Sequence, residues 1–226
     1  MRRTTLVLSS ASALALLLTT AGTAMATPSA LHVQTHKTHK PPAYTRFTYQ
    51  TGTVSGVEAS SEINRAIAKN VNAVVAAARR TKASPCLAGA AACGYFVQLL
   101  KSPTCVPDNV CITAPASLLP PGANTGDTWV DSWVFDSSTG AVKRLDDFVT
   151  PAQQAAFLAG VEAAIAVRLA KGGIVNDPLW TRKMAMKDIY SWIPTPMGIR
   201  IYFSKYDVAP GSFGVVEVVV PWTAFQ

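Results

Sequence analysis

The fold is decided by Ile199-Arg200-Ile201-Tyr202-Phe203 and Val216-Glu217-Val218-Val219-Val220-Pro221, two runs of β-branched and aromatic residues near the end of the chain. Between them lie Tyr206-Asp207-Val208-Ala209-Pro210 and the turn Gly211-Ser212-Phe213-Gly214. Residues of the first kind favour a pleated strand, whereas Pro and Gly favour turns. The sequence therefore predicts two β-strands joined by a structured loop that carries aromatic side chains.

A helix is predicted over residues 61–80. Ser60 or Ser61 can cap its start, Glu62 suits the positive end of the helix dipole, and Arg79-Arg80 suit the negative end. Its apolar residues recur at helical spacing and form one stripe. They are Ile63, Ile67, Val71, Val74, Val75 and Ala78.

A second helix is predicted after Thr150. Thr150 is the expected N-cap, Pro151 occupies the first helical position and Gln153 completes a capping box, while Gly172-Gly173 ends the helix. The residues expected on its apolar side are Phe157, Leu158, Val161, Ile165, Val167 and Leu169.

Further strands are predicted over 44–53, 95–100, 110–114 and 129–136, where apolar and aromatic residues recur with short periods. Strands and helices do not alternate as βαβ units, which disfavours a doubly wound parallel sheet. We therefore expect an α+β fold with an antiparallel or mixed β-sheet and two main helices packed on one face.

The N-terminus reads as an export signal. Arg2-Arg3 precede an apolar run, and Ala24-Met25-Ala26 supplies a small-x-small cleavage site. The predicted organisation is a signal peptide over 1–26, a flexible His/Lys/Pro linker over 27–43 and a single domain over 44–226. The linker holds His32, His36 and His39, a spacing that suits a metal only if the segment is helical, which its prolines disfavour.

Composition describes a globular, exported protein. Apolar residues make up 49% of the chain and charged residues 15%, and no second run reaches the length of a membrane span. Removing Arg2 and Arg3 lowers the formal charge from +7 to +5, with no Lys/Arg cluster dense enough for nucleic acid. We expect a secreted or cell-wall-associated protein, monomeric, without a transmembrane anchor after cleavage.

Four cysteines fall close together: Cys86, Cys93, Cys105 and Cys111. In an exported chain this predicts two disulfides, for which the sequence allows three pairings. Cys86–Cys93 and Cys105–Cys111 are favoured, because Cys105 and Cys111 would both lie near the tip of the predicted 95–114 hairpin. The spacing lacks the close pairs of a structural zinc site.

Two motifs resemble the RsiV-like family, the lysozyme-binding outer domain of an anti-sigma factor and its secreted relatives, including a mycobacterial immunogenic antigen. The first is the terminal strand–loop–strand pattern with Tyr206, Ala209-Pro210 and Pro221. The second is Phe135-Asp136, Thr139-Gly140, Leu145 and Asp147-Phe148, with Phe148 directly after Asp147 rather than one residue later. The resemblance covers the C-terminal half and implies an α+β binding domain. Many relatives have an aromatic residue where this chain has Gly211, with Phe213 two residues further on.

Sequence motifs for catalysis are missing. No histidine follows His39, and there is no G-x-S-x-G elbow, P-loop, H-E-x-x-H or dinucleotide motif. The carboxylates that could act as a pair are Asp131, Asp136, Asp146, Asp147 and Asp207. Asp136 and Asp146-Asp147 bracket a turn, where Asp bonds its own backbone. We expect no enzyme activity, no cofactor and no metal.

The most informative candidate site is the loop between the last two strands. Its expected binding residues are Tyr206, Asp207, Pro210, Ser212 and Phe213. Rigid aromatic side chains anchor interfaces, although Tyr206 and Phe213 can equally pack on the sheet. The expected function is a secreted, non-catalytic binding domain, with a lysozyme-like protein or a cell-wall polymer such as an envelope glycan as partner. The alternatives are a carboxylate-dependent envelope hydrolase and a structural or antigenic protein without a tight ligand.

Overall fold

The described part of the chain folds into two β-sheets, each covered by one α-helix. The computed structural model describes residues 30–38, 46–80, 94–175, 177, 179–180 and 182–226. The first sheet contains β1 (Ala30–Thr38), β2 (Arg46–Ser55), β3 (Tyr95–Gln98), β4 (Asn109–Leu119) and β5 (Asp127–Asp136), in that spatial order. The second contains β6 (Trp192–Thr195), β7 (Gly198–Phe203) and β8 (Val216–Pro221). The helices are α1 (Ser60–Arg80) and α2 (Gln154–Ala170).

The first sheet is mixed. β2 and β3 run parallel, and the other neighbouring strands run antiparallel. α1 places its predicted stripe on this sheet, where Ile63, Ile67 and Val71 are fully buried against Phe47 and Phe96. Burial of each such side chain contributes about 1.5–3 kcal/mol. The predicted helix over 61–80 and the predicted 95–114 hairpin are both confirmed.

The second sheet is antiparallel, with Gly198 opposite Pro221 and Phe203 opposite Val216. The predicted strands at the end of the chain are therefore confirmed. α2 covers this sheet with Phe157, Val161, Ile165 and Leu169, all buried. α2 begins at Gln154 rather than at Pro151, the predicted first helical position, because residues 151–153 form a turn before it. The predicted contact of Gln153 with Thr150 is present in that turn, where the Gln153 side chain accepts the Thr150 N–H at 2.9 Å.

The two sheets are joined through β5 and β6. The Ser132 hydroxyl accepts the Trp192 N–H at 2.7 Å and lies 2.9 Å from the Trp192 carbonyl oxygen, to which it donates. Val130 and Val134 of β5 turn into the core of the second sheet, whereas Phe135 faces α1. β5 thus contributes side chains to both hydrophobic cores.

The Cys105–Cys111 disulfide is confirmed, with a Cα–Cα distance of 5.7 Å. Cys111 is the third residue of β4, and the Val106 N–H donates to the Pro194 carbonyl of β6 at 3.1 Å. The disulfide loop therefore lies against the second sheet. Cys86 and Cys93 lie outside the described residues, as does the predicted signal peptide.

Three expectations need correction. The strands form two sheets with one helix each, although the α+β class is confirmed. Ala30–Thr38 is a strand and not part of a flexible linker, because its backbone pairs with that of β2 in an antiparallel register. Val167 is 57% exposed, since it projects from the side of α2 opposite Ile165 and Leu169.

Among the described residues, no helix is both long and apolar enough to cross a membrane.

Candidate functional site

The loop 204–215 between β7 and β8 is held against the start of β5. The Lys205 N–H donates to the Thr128 carbonyl at 2.9 Å, and Lys205 Nζ donates to the Gly126 carbonyl at 2.6 Å. Both contacts join the loop to a segment far away in sequence. The beginning of the loop is therefore positioned by the first sheet as well as by the second.

Tyr206 projects from this loop. Its side chain is 52% exposed, and its φ of 72° is uncommon for a residue with a side chain. One edge of the ring covers Gly211, where a Cβ atom would stand 2.4 Å from Tyr206 Cε1. Lys205 Nζ lies 4.8 Å from the ring centroid. Glycine at position 211 thus leaves room for the ring.

Asp207 binds the loop to Tyr190, a residue that the sequence analysis does not single out. Its carboxylate accepts the Ser204 N–H at 2.8 Å and a short hydrogen bond from the Tyr190 hydroxyl. Ser204 Oγ lies 3.0 Å from the same hydroxyl, and the Tyr190 side chain is 59% exposed. Partial burial of the phenol, and then the hydrogen bond to Asp207, raise the pKa of Tyr190. Tyr190 lies in an irregular segment before β6, where no pattern pointed to it.

The other predicted binding residues lie elsewhere in the loop. Phe213 packs on the end of α2, where a Cβ at Gly172 would stand 2.2 Å from the ring, and the Arg168 guanidinium lies 5.3 Å from its centroid. Pro210 is half-buried, and Ser212 is exposed. The structure therefore brings Asp207 together with Tyr190, while the Tyr206 ring lies on Gly211 and Phe213 anchors the loop to α2.

A cavity of about 290 Å³ opens beside the loop, below Val208. α2 supplies Glu162 to its wall, and Trp180, Arg182 and Met184 line the other side. Glu162 accepts the Met184 N–H at 2.9 Å and pairs with Lys183 at 3.0 Å. These two contacts, the first above all, lower the pKa of Glu162. Its carboxylate therefore acts as a structural acceptor that holds 183–184 against α2.

The other carboxylates also serve local structure. Asp136 accepts bonds from Ser138 and Thr139 and pairs with Lys143, and these bonds hold its pKa well below the ordinary range. Asp147 accepts the Arg144 N–H at 2.7 Å. The turn role predicted for Asp136 and for Asp147 is confirmed. Asp131 accepts the Trp129 indole N–H at 3.0 Å, and burial raises its pKa.

The histidines require a further correction. His32 and His36 lie in β1, so the folded domain does contain imidazoles. Four residues of strand separate them by about 13 Å, too far for one metal ion. His36 Nε2 lies 2.8 Å from Thr51 Oγ1, and its ring stacks on Tyr49. No described residue is hydrogen-bonded to its other nitrogen, and no group of three potential metal ligands occurs in the described part of the chain. His39 lies outside that part.

Comparison with known proteins gives the fold but no activity. Residues 146–223 match the family model described as a protein of unknown function, DUF3298. No curated protein matches the chain. A DUF3298 family protein of Pseudomonas aeruginosa has a similar structure, with 17% identity, a TM-score of 0.61 and coverage of 87% of this chain and 91% of that one.

A second solved structure, a DUF3298 family member of Bacteroides fragilis, has 13% identity and a TM-score of 0.52, with coverage of 86% of this chain and 91% of that one. None of these descriptions names an RsiV-like protein, so that resemblance stays a prediction. The chain shares the fold of DUF3298 proteins, and the part that contains α2 and the second sheet carries the sequence match to that family.

Proposed function

We propose that the protein is an exported, non-catalytic binding module that holds a partner protein with Tyr190, Lys205, Tyr206 and Asp207, here called the tyrosine surface. The observation that carries the proposal is a pair of exposed tyrosines on one loop support: Tyr190 donates a hydrogen bond to the Asp207 carboxylate, and Tyr206 directly precedes Asp207 in the chain. Large aromatic side chains that are already ordered lose little freedom on binding, and such residues dominate the affinity of interfaces.

The chemistry of the other polar residues supports a non-catalytic role. Asp136, Asp147 and Glu162 accept hydrogen bonds from neighbouring backbone N–H groups. A hydrolase that uses two carboxylates needs both groups free to face one substrate. The His36–Thr51 pair has no orienting carboxylate among the described residues, unlike an activated nucleophile.

The resemblance to the RsiV-like family makes a lysozyme the first partner to test. The full exported protein is immobilised, and hen egg-white lysozyme is titrated over it in a label-free binding assay. Tyr206→Ala and Tyr190→Ala are each expected to weaken binding by about 30-fold or more, the effect of losing a central aromatic anchor. Met197→Ala is the matched control, because Met197 is 66% exposed in the turn between β6 and β7, at the opposite end of β7.

Four outcomes would count against the proposal or against its first partner. Absence of lysozyme binding at micromolar concentration would remove that partner. Equal weakening by Met197→Ala would mean that the tyrosine surface is not the contact. Retention on purified peptidoglycan that the tyrosine variants leave unchanged would favour a glycan instead, and release of sugar fragments would favour the hydrolase.

A further inference from the structure

The edge of β8 has backbone groups that face away from the sheet. β8 pairs with β7 and with no other strand of the described residues. The Tyr202 N–H donates to the Ser191 carbonyl on the β6 side at 2.9 Å. Since successive residues of a strand point their backbone groups in opposite directions, Ile201 and Phe203 point theirs toward β8.

The register then fixes which groups of β8 are free. Ile201 is opposite Val218 and Phe203 is opposite Val216, so Val216 and Val218 exchange hydrogen bonds with β7. Glu217 and Val219 point their N–H and C=O groups outward, and no described residue bonds them. Backbone N–H and C=O groups on an open edge are a template for another strand.

A groove runs beside this edge, between β8 and α2. Its volume is about 460 Å³. Small residues of α2 line the end near Val220, namely Gly160, Ala163 and Ala164. Val167 adds an apolar side chain that is 57% exposed.

Two cations line the opposite end of the groove. Gly160 lies near Val220 and Gly172 lies near Phe213, so α2 runs antiparallel to β8 and places Arg168 and Lys171 at the Glu217 end. Among the described residues, neither cation has a carboxylate partner; Glu217 itself pairs with Arg200 at 3.4 Å. The groove therefore offers apolar contact at one end and positive charge at the other.

We propose that the free edge of β8 binds an extended, acidic segment of a partner protein as an added strand. Its backbone would bond Glu217 and Val219, its apolar side chains would lie on Ala163 and Ala164, and a carboxylate would meet Arg168 and Lys171. Main-chain bonds supply affinity and alternate side chains supply specificity in this mode of binding.

A second copy of this chain fits the groove less well. Its β8 would present Val216, Val218 and Val220 on the α2 side, which are already buried in its own core. These residues carry no carboxylate for Arg168 and Lys171. Pro221 also lacks an N–H and blunts edge-to-edge pairing. Charge and packing therefore favour an acidic segment from another protein.

The probe is an acetylated heptapeptide of sequence Glu-Thr-Val-Thr-Val-Thr-Glu. Its two valines and two glutamates lie on the same face of an extended strand, and the sequence is the same whether the strand binds parallel or antiparallel to β8. The matched peptide carries Lys in place of both Glu residues. Binding to the full exported protein is followed by NMR, with the exchange rates of the Glu217, Val218 and Val219 amides as the readout. The acidic peptide is expected to slow exchange at Glu217 and Val219 by 10-fold or more, whereas Val218 is already protected by β7.

Four variants make the test specific. Val219→Pro removes the outward N–H and should abolish binding, whereas Val219→Thr keeps it and should retain the affinity within about twofold. Lys171→Glu should reverse the preference toward the Lys peptide, and it remains informative if Val219→Pro fails to fold. Tyr206→Ala should leave peptide binding unchanged, which separates this edge from the tyrosine surface.

Protection of Val219 in the free, dilute protein would overturn the proposal. So would equal binding of the two peptides, or Val219→Pro binding as tightly as Val219→Thr. Dimerisation that Val219→Pro abolishes would assign the edge to a second copy instead.

Discussion

The Tyr190 hydroxyl donates a hydrogen bond to the Asp207 carboxylate, so a residue before β6 holds the loop that follows β7. The same carboxylate accepts the Ser204 N–H at 2.8 Å, which closes the first turn of the loop. One acceptor therefore fixes both the loop backbone and the exposed Tyr190 ring. Tyr206 lies in the turn that this carboxylate closes, so the Tyr190 side chain is hydrogen-bonded to the same turn that carries Tyr206.

Tyr190→Phe and Asp207→Ala are expected to be coupled. Each change removes the hydrogen bond between the Tyr190 hydroxyl and the Asp207 side chain, so the second should cost less in the background of the first. We expect a coupling energy of about 1 kcal/mol in a double-mutant cycle on the free energy of unfolding. Urea denaturation of the four proteins measures it. Additive effects within about 0.3 kcal/mol would mean that the two side chains do not interact in solution.

Ser132→Ala should destabilise the joint between the two sheets. It leaves the Trp192 N–H without its acceptor and the Trp192 carbonyl without its donor. An unsatisfied buried polar group costs about 1–3 kcal/mol, and we expect a loss of that size in urea denaturation. Ser117→Ala on β4 is the control, because no hydrogen bond of its side chain occurs among the described residues. A similar loss in both variants would show that the bridge contributes nothing specific.

The elements that could be predicted from the sequence are those with local signals. Ile63, Ile67 and Val71 recur at helical spacing, and Thr150 with Gln153 marks a helix start, so both helices followed from nearby residues alone. The division into two sheets could not be predicted, because it depends on long-range contacts such as Ser132 with Trp192. A single serine in a strand carries no signal for such a contact.

The β1 strand and the contact of Tyr190 with Asp207 could not be predicted from the sequence, because both depend on residues far away in the chain. The segment Ala30–Thr38 is polar and mostly exposed, and its strand form comes from pairing with β2 rather than from its own pattern. Tyr190 lies in an irregular segment, and only the fold brings it to Asp207. The loop that carries Tyr206 and Asp207 could be predicted, because the two strands that flank it have clear local patterns.

Replacement of Cys105 and Cys111 by alanine should reduce stability by about 2 kcal/mol, the chain-entropy value for so short a loop. The loop also supports β6 through the bond from the Val106 N–H to the Pro194 carbonyl at 3.1 Å. Amide exchange at Val106 should therefore become faster than in the wild type. If amide exchange at Val106 is unchanged while the free energy of unfolding still falls, the disulfide stabilises the protein only by restricting the unfolded chain.

Gly198→Ala and Gly173→Ala form a matched pair. Both glycines have positive φ values, 148° and 83°. A Cβ at Gly198 would stand 2.1 Å from the Val220 carbonyl oxygen, whereas nothing lies within 4 Å of a Cβ at Gly173. We expect a loss of about 1 kcal/mol at position 173 from backbone strain, and at least about 3 kcal/mol at 198, where β8 must move as well. Equal losses in thermal or urea denaturation would contradict the close packing of β7 on β8.

At alkaline pH, above the ordinary titration range of a tyrosine, the raised pKa of Tyr202 should lower the free energy of unfolding. Burial, and then the nearby Glu217 carboxylate, raise the pKa of Tyr202 above its ordinary value of 10.0. The folded state therefore keeps a proton that the unfolded state releases, so the free energy of unfolding falls as the pH rises above 10.0 and toward the folded pKa. Below that range both states are protonated, and this contribution is constant. Tyr202→Phe cannot titrate there, so its stability should fall less steeply than that of the wild type in urea denaturation between about pH 9 and 11. Parallel pH profiles for the two proteins would mean that the Tyr202 hydroxyl is not buried in the folded state.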